Sequence, residues 1–521
     1  MQRGGLLYAA MSSATSHLES LTPGTPAVSP TRELFSLAWP TVLTMMSYTT
    51  MQFIDGAMVS RVGPQEFAAQ GNGGLITFVP LSFLMGVLTM VNTYVSQNLG
   101  AGRPREAPQY AWAAIWMSLV AWIVLLPFGL SLHGIFTRIG HAPELVDLES
   151  SYGQIMVYGC CLMLMSRGLS HFFYGLHRPK IIFMATVCGN LTNIFGNWVL
   201  IFGHLGAPKL GLEGAAIATV TGTAVEFLIP LTLFLGAKMN AELGTRSAWR
   251  PHFKTMRELW RVGWPRSLTF GNEMLCWAIF MTYLIGTFGQ AHNTAGWIVL
   301  RYMHLSFMPA VGISVAVTAL VGRYIGAGQP DIANHRAWLG VRMSMCYMGL
   351  CALMFVIFRA PLASILIRKG DPEFDLILSI ASQLLICAAV FQLFDAMSIT
   401  LSGALSGAGD TVWTGVVTMI TSWTFIVGGG FALVHWAPQL KSLGPWIGAS
   451  VYIISLGIAF VWRWNSGYWR TIQLLDHDGV NTVVVNVDPA SGPPADRVLT
   501  STALLGEHED TAPEPMPTGA P

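Results

Sequence analysis

Residues 93–118 read TYVSQNLGAGRPREAPQYAWAAIWMS, and residues 319–344 read ALVGRYIGAGQPDIANHRAWLGVRMS. The Gly-Ala-Gly triplet, the proline after it, the Ala-Trp pair and the Met-Ser pair all recur at an offset of 226 residues. LAWP at 37–40 also recurs, as VGWP at 262–265. Agreement of several short blocks at nearly one offset indicates an internal duplication. The sequence therefore predicts a protein built from two related halves.

The composition is typical of an integral membrane protein. Hydrophobic residues make up 53% of the 521 residues and charged residues only 11%, whereas soluble domains carry roughly 25% charged residues. The net charge of +1 lacks the basic excess of a nucleic-acid-binding protein, so we expect no nucleic-acid partner. The seven cysteines fall in apolar runs, which favours buried small side chains over disulfides or metal ligands.

The membrane spans follow from the apolar stretches, because a bilayer-crossing helix needs about 20 mainly apolar residues. Twelve stretches qualify: 34–60, 73–98, 109–134, 152–175, 180–203, 212–236, 259–287, 295–325, 334–358, 375–402, 411–436 and 445–468. Six spans fall in each half. Because six is an even number, both halves enter the membrane from the same side and form a parallel repeat, related by a pseudo-two-fold axis along the membrane normal. The predicted fold is an all-α integral membrane protein with twelve transmembrane helices in two pseudo-symmetric six-helix bundles.

The orientation follows from lysine and arginine, which are enriched in cytoplasmic loops. With the N-terminus inside, cytoplasmic segments carry 14 such residues and outer loops carry 7. We therefore predict a multi-pass protein of the inner (plasma) membrane with both termini in the cytoplasm. The predicted organisation is a disordered tail at 1–31, an N-lobe at 32–236, a cytoplasmic linker at 237–258, a C-lobe at 259–470 and a disordered acidic tail at 471–521.

Four acidic residues fall inside predicted spans, namely Asp55, Glu226, Glu273 and Asp395. A charged group in a bilayer is costly, so such residues are functional hypotheses by default. A carboxyl group in this medium favours its neutral form unless a cation joins it. The alternative is a structural carboxylate paired with a buried base or hydroxyl, with Arg167, Arg301 and His304 as candidate partners. Glu226 is the weaker functional candidate, because it lies closer to the predicted cytoplasmic end of its span.

The fifth predicted span contains GNLTNIFGN at 189–197. Asn193 and Asn197 are four residues apart and share one helical face, and Asn190 lies three residues before Asn193. Amide oxygens beside a carboxylate could coordinate a hard cation or hold a protonated carboxyl group. The same residues could instead form ordinary hydrogen bonds between membrane helices. The residues alone leave both interpretations open.

The two Gly-Ala-Gly triplets, at 100–102 and 326–328, raise the question of a phosphate-binding loop. Each triplet directly follows a predicted span, and neither stretch matches a phosphate-binding motif. We therefore expect them to end helices. No Ser/His/Asp set, paired metal ligands or nucleotide motif occurs in the sequence. The chain is thus not expected to be an enzyme or to hold a cofactor.

Six motifs, distributed between residues 33 and 465, resemble those of one known family. They are FIDGAMVSRVG at 53–63, SQNLGAGR at 96–103, GNLTNIFGNWVLIFG at 189–203, GLEGAAIAT at 211–219, LVGRYIGAG at 320–328 and QLFDAMSITLSGALSGAGDT at 392–411. Together they resemble the multidrug and toxic compound extrusion (MATE) family of cation-coupled antiporters, and within it the NorM-like branch. The resemblance implies a monomer in membrane lipid, with a central cavity between two bundles that opens to one side at a time.

The resemblance also implies an activity and a site. Family members export cationic or amphipathic small molecules in exchange for inward Na⁺ or H⁺, so the ion is a transported partner and no cofactor is implied. Positions matching the N-lobe cation site are Asp55, Asn193, Asn197 and Thr219. The C-lobe carboxylates of the NorM-like branch match Glu273 and Asp395. Na⁺ is accordingly expected at Asp55, Asn193 and Asn197 or at Glu273 and Asp395.

Some positions depart from the family pattern or extend it. Asn197 is aspartate in some members, so the site here has less negative charge. Phe391 stands where part of the NorM-like branch has a tyrosine, which predicts a weaker C-lobe site. Gln392, beside it, and Arg301 are further candidates for that site.

Three other functions remain as alternatives. A lipid-linked saccharide flippase of a related branch would need a basic cavity for pyrophosphate, and the spans are poor in lysine and arginine. A membrane-embedded enzyme could use Asp395 as a general base, but no clustered histidines or metal ligands accompany it. A receptor or channel is the third alternative.

Overall fold

The computed structural model describes residues 29–367 and 372–475, which belong to one compact unit. These residues form helices joined by short turns, and no strand occurs among them. The predicted tails lie outside the described residues, apart from 29–31 and 471–475. Helix formation throughout is what a bilayer requires, because only a helix or a closed barrel satisfies its own backbone hydrogen bonds in lipid. The all-α prediction is confirmed.

Twelve long helices account for the twelve predicted spans. They are α1 Pro30–Val59, α2 Pro64–Gly100, α3 Ala107–Ile139, α4 Pro143–Gly175, α5 Pro179–Phe202, α6 Gly211–Phe234, α7 Phe253–Phe288, α8 Gln290–Gly326, α9 Pro330–Ile357, α10 Phe374–Ala408, α11 Thr411–Trp436 and α12 Leu443–Asn465. Among the described residues, ten helices are long and apolar enough to cross a membrane. The other two, α1 and α5, coincide with the first and fifth predicted spans and carry the polar side chains of the candidate site.

Several helices extend beyond the predicted spans. Helix α2 begins at Pro64 rather than at 73, with its proline at the first helical position, where a missing N–H costs nothing. Helix α7 begins at Phe253, within the predicted linker. That linker also contains a short helix, Ala237–Leu243, with Met239 and Leu243 buried. The connection between the halves is therefore packed against the protein rather than free.

The internal duplication is visible in the helices that contain the repeated motif. Helices α2 and α8 are both 37 residues long, and both their ends lie 226 residues apart in sequence. Each is followed by a glycine in the left-handed region, Gly102 with φ 72° and Gly328 with φ 69°. Only glycine adopts this conformation without steric cost. The prediction that the Gly-Ala-Gly triplets end helices is thus confirmed.

The first glycine of each triplet has a second role, which the sequence did not indicate. A Cβ atom placed on Gly100 would lie 1.8 Å from the backbone oxygen of Arg323. A Cβ atom on Gly326 would lie 2.0 Å from the backbone oxygen of Gln97. Helix α2 of the first half (α1–α6) and helix α8 of the second half (α7–α12) therefore touch backbone to backbone where both end.

Hydrogen bonds between the two halves cluster at the same end of the bundle. Thr41 Oγ1 donates to the backbone oxygen of Gly312 at 2.7 Å, and Gln97 Nε2 donates to that of Gly407 at 2.9 Å. Arg336 forms an ion pair of 2.7 Å with Glu33. This is the end where α1 begins and α2 ends, which the lysine and arginine bias predicts to be cytoplasmic. The halves are thus held together at the predicted cytoplasmic end.

The pair Arg463–Asp410 yields a stability prediction. Arg463 Nε lies 2.7 Å from Asp410 Oδ2, and only 13% and 5% of the two side chains are exposed. Replacing Asp410 with alanine leaves a buried guanidinium without its partner, so we expect a loss of about 3 kcal/mol in the free energy of unfolding. Chemical unfolding of the purified protein in detergent measures it. The matched control is Asp331→Ala, because Asp331 also pairs with an arginine but is 87% exposed and should cost little. Equal losses in both variants would contradict the prediction.

Candidate functional site

The first half contains a polar cluster around Asp55, a residue that is only 7% exposed. Asn197 Nδ2 donates a short hydrogen bond to Asp55 Oδ1. Gln70 Nε2 donates to Asp55 Oδ2 at 3.1 Å. No full positive charge takes part in these bonds. The carboxylate is therefore solvated by side-chain amides from α2 and α5, within a helix bundle.

The hydrogen bonds continue from Asn197 towards α6. Asn197 Nδ2 also donates to Asn193 Oδ1 at 3.2 Å, and Asn193 Nδ2 donates to Thr219 Oγ1 at 3.2 Å. Asn197 Oδ1 is buried and has no hydrogen-bond partner. We call Asp55, Gln70, Asn193, Asn197 and Thr219 the Asp55 cluster. It leaves at least one buried oxygen acceptor free.

Small residues allow the two helices that build this cluster to approach closely. A Cβ atom on Gly189 of α5 would lie 2.8 Å from the backbone oxygen of Gly222 on α6, and the reverse distance is 2.7 Å. Such glycine contacts bring membrane helices together. They place the face of α5 that carries Asn193 against Thr219. The structure therefore brings together the four N-lobe positions that the resemblance indicated, and adds Gln70, which the sequence analysis missed.

Asn190 and Glu226 do not belong to the Asp55 cluster. Asn190 Nδ2 donates to Ser47 Oγ at 2.7 Å. Glu226 is buried, and its Oε1 accepts a short hydrogen bond from Tyr48 and one of 2.9 Å from Thr186. Glu226 is therefore a buried carboxylate separate from Asp55, with hydroxyl rather than amide partners.

The second half places Glu273 on α7 and Asp395 on α10, and Glu273 acts electrostatically on Asp395. Tyr452 donates its hydroxyl to Glu273 Oε1 at 3.4 Å. Ser398 Oγ lies 3.4 Å from Asp395 Oδ1. Both carboxylates are half-buried. Among the described residues, the side-chain hydrogen bonds of both acids thus come from hydroxyl groups and not from a charged base.

Arg266 is the base that acts electrostatically on Glu273, and the sequence analysis did not identify it. It lies seven residues before Glu273 on α7, so the two side chains project from the same face of the helix. That spacing was the signal available in the sequence. By contrast, Arg301 and His304, proposed as partners for the acids, are exposed. The described residues show no hydrogen bond or ion pair between these two bases and Glu273 or Asp395, so the expected pairing is not seen.

The remaining C-lobe candidates are buried and make other contacts. Phe391 is fully buried in the apolar core of the second half. Gln392 is buried and donates to Ser306 Oγ at 2.9 Å. The hydroxyl that Phe391 lacks reaches Glu273 from Tyr452 on α12. The absence of a tyrosine at position 391 therefore does not leave this pair of acids without a phenol.

Both α7 and α11 change their winding near these acids. Residues 280–285 of α7 and 422–428 of α11 form π-helical turns. Asn272, the residue before Glu273, donates to Ser422 Oγ at 2.8 Å and accepts from Trp423 Nε1 at 2.7 Å. π-Helical turns often occur at functional sites. The two hydrogen bonds of Asn272 join the residue next to Glu273 to the start of the π-helical turn of α11.

Duplicated six-helix halves that each carry carboxylates on their long helices define a class of protein. This chain is a multi-pass membrane transporter and not an enzyme. The sequence profile of the MatE family matches residues 40–199 and 272–429. The chain belongs to the MatE family.

Relatives and solved structures agree with this assignment. The chain is 29% identical over 474 residues to "Probable multidrug resistance protein NorM" of Pseudomonas putida, covering 87% of this chain and 98% of the relative. It is 29% identical over 436 residues to multidrug resistance protein NorM of Burkholderia vietnamiensis, covering 82% and 92%. A crystal structure of MATE in the bent conformation matches with a TM-score of 0.76 at 20% identity, covering 85% of this chain and 97% of that one. A MOP superfamily transporter from Pyrococcus furiosus Vc1 matches with a TM-score of 0.78 at 19% identity over the same shares.

Proposed function

We propose that this protein exports cationic or amphipathic small molecules in exchange for inward Na⁺ or H⁺. Membership of the MatE family supports transport, and the names of the NorM relatives support multidrug export. The bacterial source of these relatives supports a place in the inner membrane, and the lysine and arginine bias supports cytoplasmic termini. The observation that carries ion coupling is the Asp55 cluster, a buried carboxylate with a free amide oxygen beside it.

The Asp55 cluster is suited to a hard cation or a proton. Its acceptors are carboxylate, amide and hydroxyl oxygens, the ligands that hard cations prefer. Asp55 has two oxygens with lone pairs to spare, and Asn197 Oδ1 has no protein partner. A proton on Asp55 would serve equally, because it removes the buried charge. In this proposal Asp55, Asn193, Asn197 and Thr219 hold the ion, and Gln70 orients Asp55.

Glu273 and Asp395 are proposed to attract the positive group of the substrate or a second ion. With the halves held together at the predicted cytoplasmic end, their carboxylates would be reached from the outer side. Ion binding that favours one arrangement of the halves, and substrate binding that favours the other, are then coupled by linkage. Rocking of the halves around the fixed site completes the exchange.

Gradient-driven transport of ethidium in proteoliposomes tests this function. We expect a sodium gradient or a proton gradient, imposed separately, to drive ethidium across the membrane, and an ionophore that collapses the active gradient to stop it. The comparison of the two gradients identifies the coupling ion. Ethidium movement that ignores both gradients would overturn the proposal, since a channel or a passive carrier behaves in this way.

A further inference from the structure

A cleft of about 400 Å³ lies between the start of α3 and the linker that joins the two halves. Its polar lining residues are Arg105, Gln109, Asn240, Ser247 and His252. Cavities of about 300–1,000 Å³ are typical of small-molecule sites. Arg105 and His252 are exposed, and the described residues include no hydrogen bond or ion pair to either side chain. The cleft therefore presents two nitrogen-bearing side chains to a ligand.

The linker beside this cleft is fixed along α3. Trp112 Nε1 donates to the backbone oxygen of Thr245 at 2.7 Å, and Trp116 Nε1 donates to that of Trp249 at 2.9 Å. Trp112 and Trp116 both belong to the predicted span 109–134. The linker therefore lies beside the first turns of a membrane span, near the boundary between lipid headgroups and acyl chains.

Large aromatic side chains of the linker and of the first turns of α7 are exposed. Trp249 and Phe253 are 51% and 82% exposed, and Trp260 is exposed as well. Phe253 and Trp260 are seven residues apart and share one face of α7. Aromatic side chains are enriched at membrane–water interfaces, where one side of the ring meets acyl chains. This face is therefore suited to contact lipid.

The exposed charges around the cleft are positive. Residues 237–261 contain six lysines and arginines but only two glutamates. Both glutamates have partners in the helix bundle, because Arg178 donates to Glu242 Oε1 at 2.6 Å and Tyr110 donates to Glu258 Oε2 at 3.0 Å. The six basic residues are all exposed, namely Lys238, Arg246, Arg250, Lys254, Arg257 and Arg261. The surface thus favours a ligand with negative charge.

We propose that this cleft binds the headgroup of an anionic phospholipid from the predicted cytoplasmic leaflet. Basic pockets at this side of membrane proteins bind the headgroups of anionic lipids. The planar fork of Arg105 donates two parallel hydrogen bonds to the phosphate, and His252 donates a third. The acyl chains lie against Trp249 and Phe253. These exposed aromatic side chains favour a lipid over a soluble phosphate compound, which would occupy the cleft alone.

Native mass spectrometry of the purified, delipidated protein in detergent tests this site, because it counts bound lipids and measures their affinity. Phosphatidylglycerol and phosphatidylcholine with identical acyl chains form a matched pair, since only the second balances its phosphate with a positive group. We expect one phosphatidylglycerol to bind more tightly than phosphatidylcholine. In the double variant Arg105→Gln, His252→Gln its binding should weaken by about tenfold or more, since hydrogen bonds to a charged group are lost. Binding of phosphatidylcholine should stay within twofold.

Controls separate the site from the rest of the surface. Arg138→Gln removes an exposed arginine at the other end of α3 and should change the binding of neither lipid. Arg105→Lys keeps the charge but loses the fork, so it should bind phosphatidylglycerol with reduced affinity. Glycerophosphoglycerol, the same headgroup without acyl chains, should bind about tenfold or more weakly than the lipid, because it buries no apolar chain.

Three results would overturn the proposal. Unchanged binding of phosphatidylglycerol in the double variant would show that Arg105 and His252 do not hold the headgroup. Equal weakening of both lipids would show that the site does not recognise negative charge. Equal affinity for glycerophosphoglycerol would assign the cleft to a soluble phosphate compound. None of these measurements uses transport, so their outcome is independent of the proposed exchange.

Discussion

Replacing Asp395 with asparagine is expected to abolish cation-driven export while leaving the protein folded and in the membrane. The side chains have nearly the same shape, and asparagine Oδ1 can still face Ser398, which lies 3.4 Å from Asp395 Oδ1. What changes is the charge beside Glu273. Without the charge of Asp395, the electrostatic attraction that favours binding of a positive group between α7 and α10 is much weaker. A coupling free energy of 1–3 kcal/mol corresponds to about 5- to 150-fold, and we expect a loss of exchange rate near the upper limit.

Ethidium transport in proteoliposomes, driven by the active ion gradient, measures this loss of exchange rate. Asp147→Asn is the matched control, because Asp147 is 76% exposed and has only a histidine partner. Its exchange rate should equal that of the unchanged protein. If Asp395→Asn exchanges dye at the normal rate, the role assigned to Asp395 is wrong. If it is not found in the membrane at normal levels, the carboxylate is structural.

Replacing Gly326 with alanine is expected to open the halves at the predicted cytoplasmic end. The new Cβ atom would lie 2.0 Å from the backbone oxygen of Gln97, and neither backbone can give way without separating α2 from α8. Overpacking of this kind typically costs 1–3 kcal/mol. This cost destabilises the arrangement described here, in which the ends of α2 and α8 touch. It does not affect an arrangement in which these helix ends are apart. The balance between the two should shift by about 5- to 150-fold, with export slowed to a comparable degree.

Spin labels report this opening directly. We would attach them to cysteines at Arg105 and His335, which are exposed near the predicted cytoplasmic ends of α3 and α9, in a variant without the native cysteines. In Gly326→Ala the distance between the labels should increase. Gly71→Ala is the matched control, since it lies on α2 and a Cβ atom there meets nothing within 4 Å. An unchanged distance in Gly326→Ala would show that the close glycine contact does not hold the halves together.

Much of the fold could be predicted because lipid leaves the chain few choices. A spanning segment has to form its backbone hydrogen bonds internally and present apolar side chains, so its position is visible as composition. The prediction of α5 from 180–203 differs from the observed Pro179–Phe202 by one residue at each end. Helix α2 was predicted to begin nine residues too late, because its first turns carry polar residues such as Gln70 and Asn72.

The Asp55 cluster was partly predictable for a similar reason. Asn193 and Asn197 are four residues apart, and helical geometry alone puts them on one face. Their link to Thr219, 26 and 22 residues further along the chain, came from the resemblance and not from spacing. Gln70 had no signal, because a glutamine near the start of a helix is ordinary and its bond to Asp55 depends on how α1 and α2 lie together.

The amino-acid sequence by itself determined that the chain crosses a membrane in duplicated halves and that a few carboxylates lie within its helices. Periodicity, hydropathy and repeats are properties of the sequence, and they can be recognised without knowledge of the tertiary contacts. Only the tertiary structure decided that Arg266 and Tyr452 lie with Glu273, that Arg301 and His304 are exposed, and that glycines which end two helices also join the halves. These facts depend on the rotation of each helix about its axis and on which helices touch. Packing between segments that are distant in the chain determines the helix rotations and the helix contacts. No local sequence pattern predicts this packing.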